Sequence, residues 1–307
     1  MVTKVPNTAF LHLLDTKHIM NPLTALLTLM TAAATSATTY CGDSALKLTS
    51  YNPGASAIFP VSSVLVSGQK DAILVNAQFG KSQAQAVVDL VKASGKHLTT
   101  IYVSHGDPDY YFGLDTIRAA FPDAAIVATA PVVEHIKETV DAKLKTWAPV
   151  LGADAPAKTI FPDVLKTDKL TLEGHSLEIR GPAARSYVWI QDLKAVVGGV
   201  LLENNIHAFM ADTQTPESHT EWLNALAEIE ALKPSVIVPG HAIVGDVADI
   251  DSPAFTAKYI RDFDMETPKA ANSTDLIAAM TALYPKAGSV ISLEISAQVA
   301  KGEMPWP

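Results

Sequence analysis

Cysteine is almost missing from this 307-residue chain: Cys41 stands alone, so neither an internal disulfide framework nor a thiolate zinc module can form. Charge is sparse as well. Asp, Glu, Lys and Arg make up 18% of the residues, and the net −9 gives no basic footprint for nucleic acid or an anionic lipid surface. No serine sits in a G-x-S-x-G elbow and no glycine loop cradles phosphate, which removes two large enzyme classes. The apolar stretch Leu23 to Ala34 is too short for the ~20 residues that span a bilayer. Followed by the small residues Thr35, Ser36 and Ala37, it has the layout of an export signal.

Linkers, internal repeats and low-complexity tracts are missing too, so the chain reads as a leader over residues 1–40 and one domain over residues 41–307. A working signal implies a periplasmic or secreted protein with no stable membrane span once mature; a disordered or docked N-terminal helix in its place implies a cytoplasmic one. The charge balance suits a small neutral or apolar partner molecule, not nucleic acid.

What is present is apolar: 48% of residues are hydrophobic, enough to bury a large core. Val61 to Val66 and Ala72 to Val75 read as a hairpin-like pair of buried strands, and Lys81 to Ala93 as a helix stopped by Gly95. A strand at Thr99 to Val103, a helix near Leu114 to Ala120, a strand at Ala124 to Ala128 and a helix from Pro131 to about Trp147 continue the alternation. His175 to Ile179, Tyr187 to Ile190 and Ala195 to Val197 then form an antiparallel meander. A helix over Glu217 to Glu230, a strand over Ser235 to Val238 and two or three further helices complete an α/β chain.

Chemistry concentrates where the strand ending at Val103 runs into Ser104-His105-Gly106-Asp107-Pro108-Asp109-Tyr110-Tyr111-Phe112-Gly113. One imidazole and two carboxylates alternate there, and alternation can aim several donors at one cation. His241, behind Pro239-Gly240, leaves another strand end and supplies a second imidazole. Two His and one or two Asp suit Zn, Fe or Mn rather than Cu or an Fe–S cluster. The plainer alternative is that Asp107 and Asp109 cap the helix that begins near Gly113 and His241 fills a turn.

The stretch His105 to Gly113 resembles the H-x-H-x-D-H-x-x-G signature of metallo-β-lactamase-fold hydrolases, and Ile73-Leu74-Val75-Asn76 resembles the strand that precedes it. Tyr187 to Ile190 with Lys194 to Gly199, and Val236 to His241, are similar to the family's later metal-bearing segments, in order, over roughly residues 55–250. The resemblance implies an αββα four-layer sandwich of two mixed β-sheets flanked by helices. It also implies a metal site, in a branch similar to exported metallo-hydrolases. His105, Asp109 and His241 stand at family ligand positions. Asp107 stands at a histidine position, Tyr110 at another, Gly181 at the third histidine and Gly199 at the bridging aspartate.

Losing the bridging carboxylate argues against two close metals. The expected site is therefore at most mononuclear, with one divalent ion (Zn, Fe or Mn) held by His105, Asp107, Asp109 and His241, or no metal at all. Asp109 and Tyr110 are the expected catalytic groups, Tyr110 as hydrogen-bond donor to an oxyanion. Arg185, His207 and Phe112 are expected to bind substrate, Arg185 by meeting a carboxylate; surface placement for Arg185, a solvated or capping role for His207 and core packing for Phe112 are the alternatives. Trp189, Tyr111 and Phe209 share that choice between cleft and core. Opening of a small ester, lactone or related carbonyl compound fits this set. A binding protein or metal-independent descendant of the fold is the alternative.

Overall fold

The structure is a computed structural model and describes residues 38–41, 44–243 and 250–306; the export-signal expectation lies outside them. Short β-branched runs build two sheets. The first carries, in spatial order, β1 (Thr38–Cys41), β2 (Lys47–Tyr51), β3 (Ser63–Ser67), β4 (Asp71–Val75), β5 (His97–Val103), β6 (Ala125–Ala128) and β7 (Asp163–Val164). Strands β1 to β4 pair antiparallel; β4 to β7 pair parallel. Their crossovers carry α1 (Lys81–Ser94), the short α2 (Pro108–Tyr111), α3 (Leu114–Ala120) and α4 (Ala130–Leu151). Gly95 ends α1 at φ 66°, a left-handed conformation that glycine adopts without strain.

The second sheet runs β8 (Lys169–Leu172), β9 (His175–Arg180), β10 (Tyr187–Ile190) and β11 (Ala195–Val197) as an antiparallel meander. Helix α5 (Pro216–Ala231) then leads to β13 (Val236–Val238), which pairs parallel with β11. Between them β12 (Glu203–Asn204) pairs parallel with β14 (His241–Ala242) as a two-residue ribbon. Helices α6 (Ser252–Glu266), α7 (Ser273–Leu283) and α8 (Val290–Ala300) follow.

Strand periodicity decides the layering, because successive side chains face opposite ways. Val64, Val66, Ile73, Val75 and Tyr102 of the first sheet meet Leu177, Val188, Ile190 and Val197 of the second. The alternate residues Leu65, Leu74, Ile101 and Val103 pack under Val87, Val91, Ile117 and Ile136 of the first helical layer. Tyr187, Trp189, Val196 and Ile237 pack under Trp222, Leu226, Ile260 and Leu293 of the other. The result is the four-layer α/β/β/α sandwich that the sequence resemblance implies. Each fully buried Val, Leu or Ile in these layers contributes about 1.5–3 kcal/mol.

Several elements exceed the sequence reading. β1, β2, β7 and the β12–β14 ribbon carry no strong strand pattern, and their partners, not their propensity, make them strands. The boundary drawn at residue 40 falls inside β1, whose Thr38 to Cys41 pair with Ser50 to Lys47. Helix α4 runs on to Leu151 through Pro149. Among the described residues no helix is long and apolar enough to cross a membrane.

Candidate functional site

The loop after β5 is held by the loop after β4. Asn76, at φ 67°, accepts from Ser104 N (3.1 Å) and Ser104 Oγ (2.8 Å) on Oδ1, while Ala77 N donates to Tyr110 O (2.9 Å) and Gly113 N to Gln78 O (2.9 Å). These bonds fix Ser104 to Gly113 as a rigid shelf at the C-terminal end of β5. Asp107 occupies the N-cap of α2 and Pro108 its first turn, yet the Asp107 side chain makes no capping bond. Neither acid is spent on a helix end: Asp107 turns to His105, and Asp109 to His241.

His105 and Asp107 make up one half of the site. The Ala184 carbonyl only accepts, so His105 Nδ1, at 2.8 Å, must carry a proton. Nε2 then presents its lone pair to Asp107 Oδ2 at 3.1 Å unless the ring is cationic, and two acceptors at that distance need a proton or a cation with them. The other Asp107 oxygen is paired with the Lys143 ammonium, which also donates to His135 Nε2 at 3.0 Å. Burial alone would raise Asp107, but Lys143 and His105 hold its carboxyl well below the usual range. Asp212, on the loop before α5, completes the group. One ligand atom each from His105, Asp107 and Asp212 lie within 4.8 Å of one another, the only such trio among the described residues. Asp212 opens to solvent on one side; the protein around it and the Asp107 charge nonetheless push it up to about 6.

His241, Asp109, Tyr110 and Glu203 make up the other half, which is closed. His241 Nε2 donates to Asp109 Oδ2 at 2.7 Å, and Nδ1 meets the Tyr110 hydroxyl at 3.1 Å. The β12–β14 pairing sets Glu203 opposite His241, and Glu203 Oε1 lies 3.7 Å from Nδ1. Glu203 is 1% exposed and its Oε2 has no partner; burial raises it to about 8, against the pull of His241 and Arg185. Burial alone would lower His241, but Glu203 and Asp109 lift it to about 8. The Tyr110 ring stands edge-on between the two imidazoles, 5.5 Å from His105 and 5.4 Å from His241.

The four expected ligands therefore form two pairs, His105 with Asp107 and Asp109 with His241, and Tyr110 separates them. Tyr110 is fully enclosed, so its hydroxyl serves His241. Arg185 reaches the site: its backbone bridges His105 and its guanidinium lies 4.1 Å over the Trp222 ring. With Asp212, Thr213, Leu201 and Trp222 it borders a cavity of about 120 Å³. Phe112 takes its packing alternative, while His207 is buried in packing and takes neither the substrate-binding reading nor the solvated or capping one. Phe112 is 3% exposed and stacks on Phe79 beneath the first helical layer, because its strand-to-helix turn faces that core. His207 is buried against Tyr259 of α6, its Nδ1 3.1 Å from the hydroxyl, and burial pushes it down to about 4. Tyr111 and Trp189 are also core, and Phe209 is partly buried.

Gly181 lies beside Tyr187 and Leu201, and its segment delivers Arg185 to the site instead. A side chain at Gly199 would start 2.2 Å from the Ser186 carbonyl, so the backbone itself closes that position to a carboxylate. Lys143, His135, Glu203 and Asp212 were not anticipated. Glu203 carries the one usable signal, an acid following the apolar run Val196 to Leu202; the others look like ordinary helix-surface or loop residues.

A family model of the metallo-beta-lactamase superfamily matches residues 57–241, and the chain belongs to that superfamily. Among solved structures, a metallo-beta-lactamase from Pontibacter korlensis superposes with a TM-score of 0.56 at 16% identity, covering 74% of this chain and 100% of its own. The metallo-beta-lactamase FIM-1 from Pseudomonas aeruginosa, in its mono-zinc form, gives 0.51 at 16% identity, covering 73% of this chain and 95% of its own. Identities this low show the fold alone. A search of curated proteins gave no match. Membership suggests a metal-dependent hydrolase with a small-molecule substrate, in a superfamily whose members typically bind zinc. One cation fits the trio of His105, Asp107 and Asp212, whose free lone pair and carboxylate oxygens suit a divalent ion. Two do not fit: Asp109 and His241 are consumed by each other, and Gly199 offers no bridge.

Proposed function

We propose that this protein hydrolyses a small ester, lactone or related carbonyl compound with a single Zn, Fe or Mn ion held by His105, Asp107 and Asp212. The observation that carries this reading is the clustering of those three donors within 4.8 Å, with His105 Nδ1 already committed to Ala184. An ion bound there supplies Lewis acidity and a water acidic near neutral pH. The chain's own groups do the rest. Lys143 neutralises the outer oxygen of Asp107 and keeps it in place. Arg185, braced on Trp222, borders the cavity next to Asp212 and meets negative charge on the substrate. The cavity of about 120 Å³ that Arg185 and Asp212 border suits a small acyl group. Asp109, His241 and Tyr110 hold a proton inside the wall behind the cluster and keep the shelf rigid.

The test is metal content after purification without chelator, combined with hydrolysis of a simple ester and lactone panel. About one equivalent of Zn, Fe or Mn is expected, and Asp212→Asn loses both metal and hydrolysis. No bound metal, with hydrolysis unchanged in Asp212→Asn, removes the mechanism. A second reading, a metal-independent or purely binding protein, is favoured by one observation: Lys143 already neutralises Asp107 without an ion. Full activity after exhaustive chelation, or ligand binding without turnover, selects it.

A further inference from the structure

The three donors of the open cluster are not held equally. His105 is fixed by the Ala184 carbonyl and Asp107 by Lys143, both from the surrounding framework. Asp212 sits on a loop, open to solvent, and its side chain makes one hydrogen bond among the described residues: it accepts from Trp306 Nε1, at 2.6 Å on Oδ1. That indole comes from the segment after α8, nearly a hundred residues further along the chain.

The segment is well anchored. Lys301 Nζ donates to the carbonyls of Thr267 (3.0 Å) and Ala270 (2.6 Å). Glu303 accepts from Ser273 N (2.9 Å) and Ser273 Oγ (2.5 Å) at the start of α7. Met304 is buried with Ala211 and Ile295, and Trp306 packs on Phe209 with ring centres 5.4 Å apart. Phe209 and Ala211 precede Asp212 on its own loop, so the same clasp that docks Trp306 also grips the backbone leading to the carboxylate. A donor on Oδ1 restricts how the Asp212 carboxylate can turn beside His105 and Asp107, the usual way in which an outer hydrogen bond fixes a ligand's orientation.

We infer that Trp306 is the positioning residue for Asp212, and that retention of a divalent cation by His105, Asp107 and Asp212 depends on this indole donor. The inference rests on the one-cation reading above. It ties the metal site to the packing of the chain's last helical layer, and it makes cation affinity, not fold stability, the quantity that a change at residue 306 moves most.

The experiment titrates Zn²⁺ into full-length protein against a chromophoric chelator and records tryptophan emission, for wild type, Trp306→Phe, Phe209→Leu and Asp212→Asn. Wild type binds one equivalent with a change in emission. Trp306→Phe keeps an aromatic ring and loses the donor; its affinity falls about 10–100-fold, and the share of the emission change that comes from Trp306 disappears. Phe209→Leu keeps the donor and loosens its docking, so its affinity falls less than that of Trp306→Phe; an equal or larger fall assigns the effect to packing and overturns the role of the indole donor. Asp212→Asn loses the site. If Trp306→Phe binds like wild type while Asp212→Asn does not, the role of Trp306 is overturned and the one-cation reading stands. If Asp212→Asn binds like wild type, or wild type binds nothing, both fall together. Where Trp306→Phe does not fold, the wild-type emission decides, since no change on saturation overturns the assignment.

Discussion

The two halves of the site are built from the same loop and opposite principles. The cluster of His105, Asp107 and Asp212 runs from a buried imidazole out to an exposed carboxylate, with a lysine and a tryptophan each holding one carboxylate oxygen. Asp109, His241, Tyr110 and Glu203 lie closed, each satisfied by another or sealed in. Alternate residues of one turn, Asp107 and Asp109, thus face the open cluster in one case and the sealed wall in the other. A donor set counted from sequence is therefore not a site; what matters is which donors are left over once internal pairing is complete.

The largest expected effect lies in the closed half. Asp109→Ala leaves His241 buried without its acceptor and is expected to cost about 3–5 kcal/mol in urea unfolding. Asp107→Asn frees a Lys143 ammonium that reaches water, and is expected to cost about 1.5–3 kcal/mol, as for loss of a charged hydrogen bond, while removing the bound metal. Equal costs for the two variants break the contrast between wall and cluster.

The closed half also titrates. Glu203 and His241 are both raised in the fold, each to about 8. A raised group stabilises below its unfolded value and loses that contribution as pH climbs through the folded one. Between the ordinary carboxylate range and pH 8, metal-depleted protein is thus expected to lose melting temperature on the order of 5 °C. Glu203→Gln flattens this slope. An unaltered slope in that variant shows that the closed half does not share a proton. Tyr110→Phe, which removes only the hydroxyl at His241 Nδ1, follows with about 0.5–1.5 kcal/mol.

The fold was legible and the site only partly so, for a physical reason. Alternating β-branched runs report which face is buried, so Tyr187 to Ile190 and Ala195 to Val197 were readable within a residue. The shelf from His105 to Gly113 was readable because its residue types are rare together. Lys143 and Asp212 were not, since a lysine on an amphipathic helix and an aspartate in a loop carry no local mark of the distant groups they meet. Gly199 marks the missing bridge in the sequence, but only the structure shows the Ser186 carbonyl that fills its place.

The smallest effect belongs outside both halves and serves as their control. Glu173, in the turn between β8 and β9, accepts from the backbone N–H groups of Gln69, Lys70 and Asp71 at 2.8, 2.6 and 2.8 Å, clipping the second sheet to the β3–β4 turn. Those three donors hold its carboxyl down to about 2. A lowered acid contributes above its unfolded value and loses that contribution as pH falls through the folded one, so the clip is intact at pH 5 and released as pH drops toward 2. Because Glu173 is exposed, the change is local: amide exchange at Gln69, Lys70 and Asp71 is expected to quicken in Glu173→Gln, with metal content and the pH slope of the closed half unmoved. If either of those shifts, the two sheets transmit strain to the site, and the division between an open cluster and a sealed wall is not a local property of the β5 shelf.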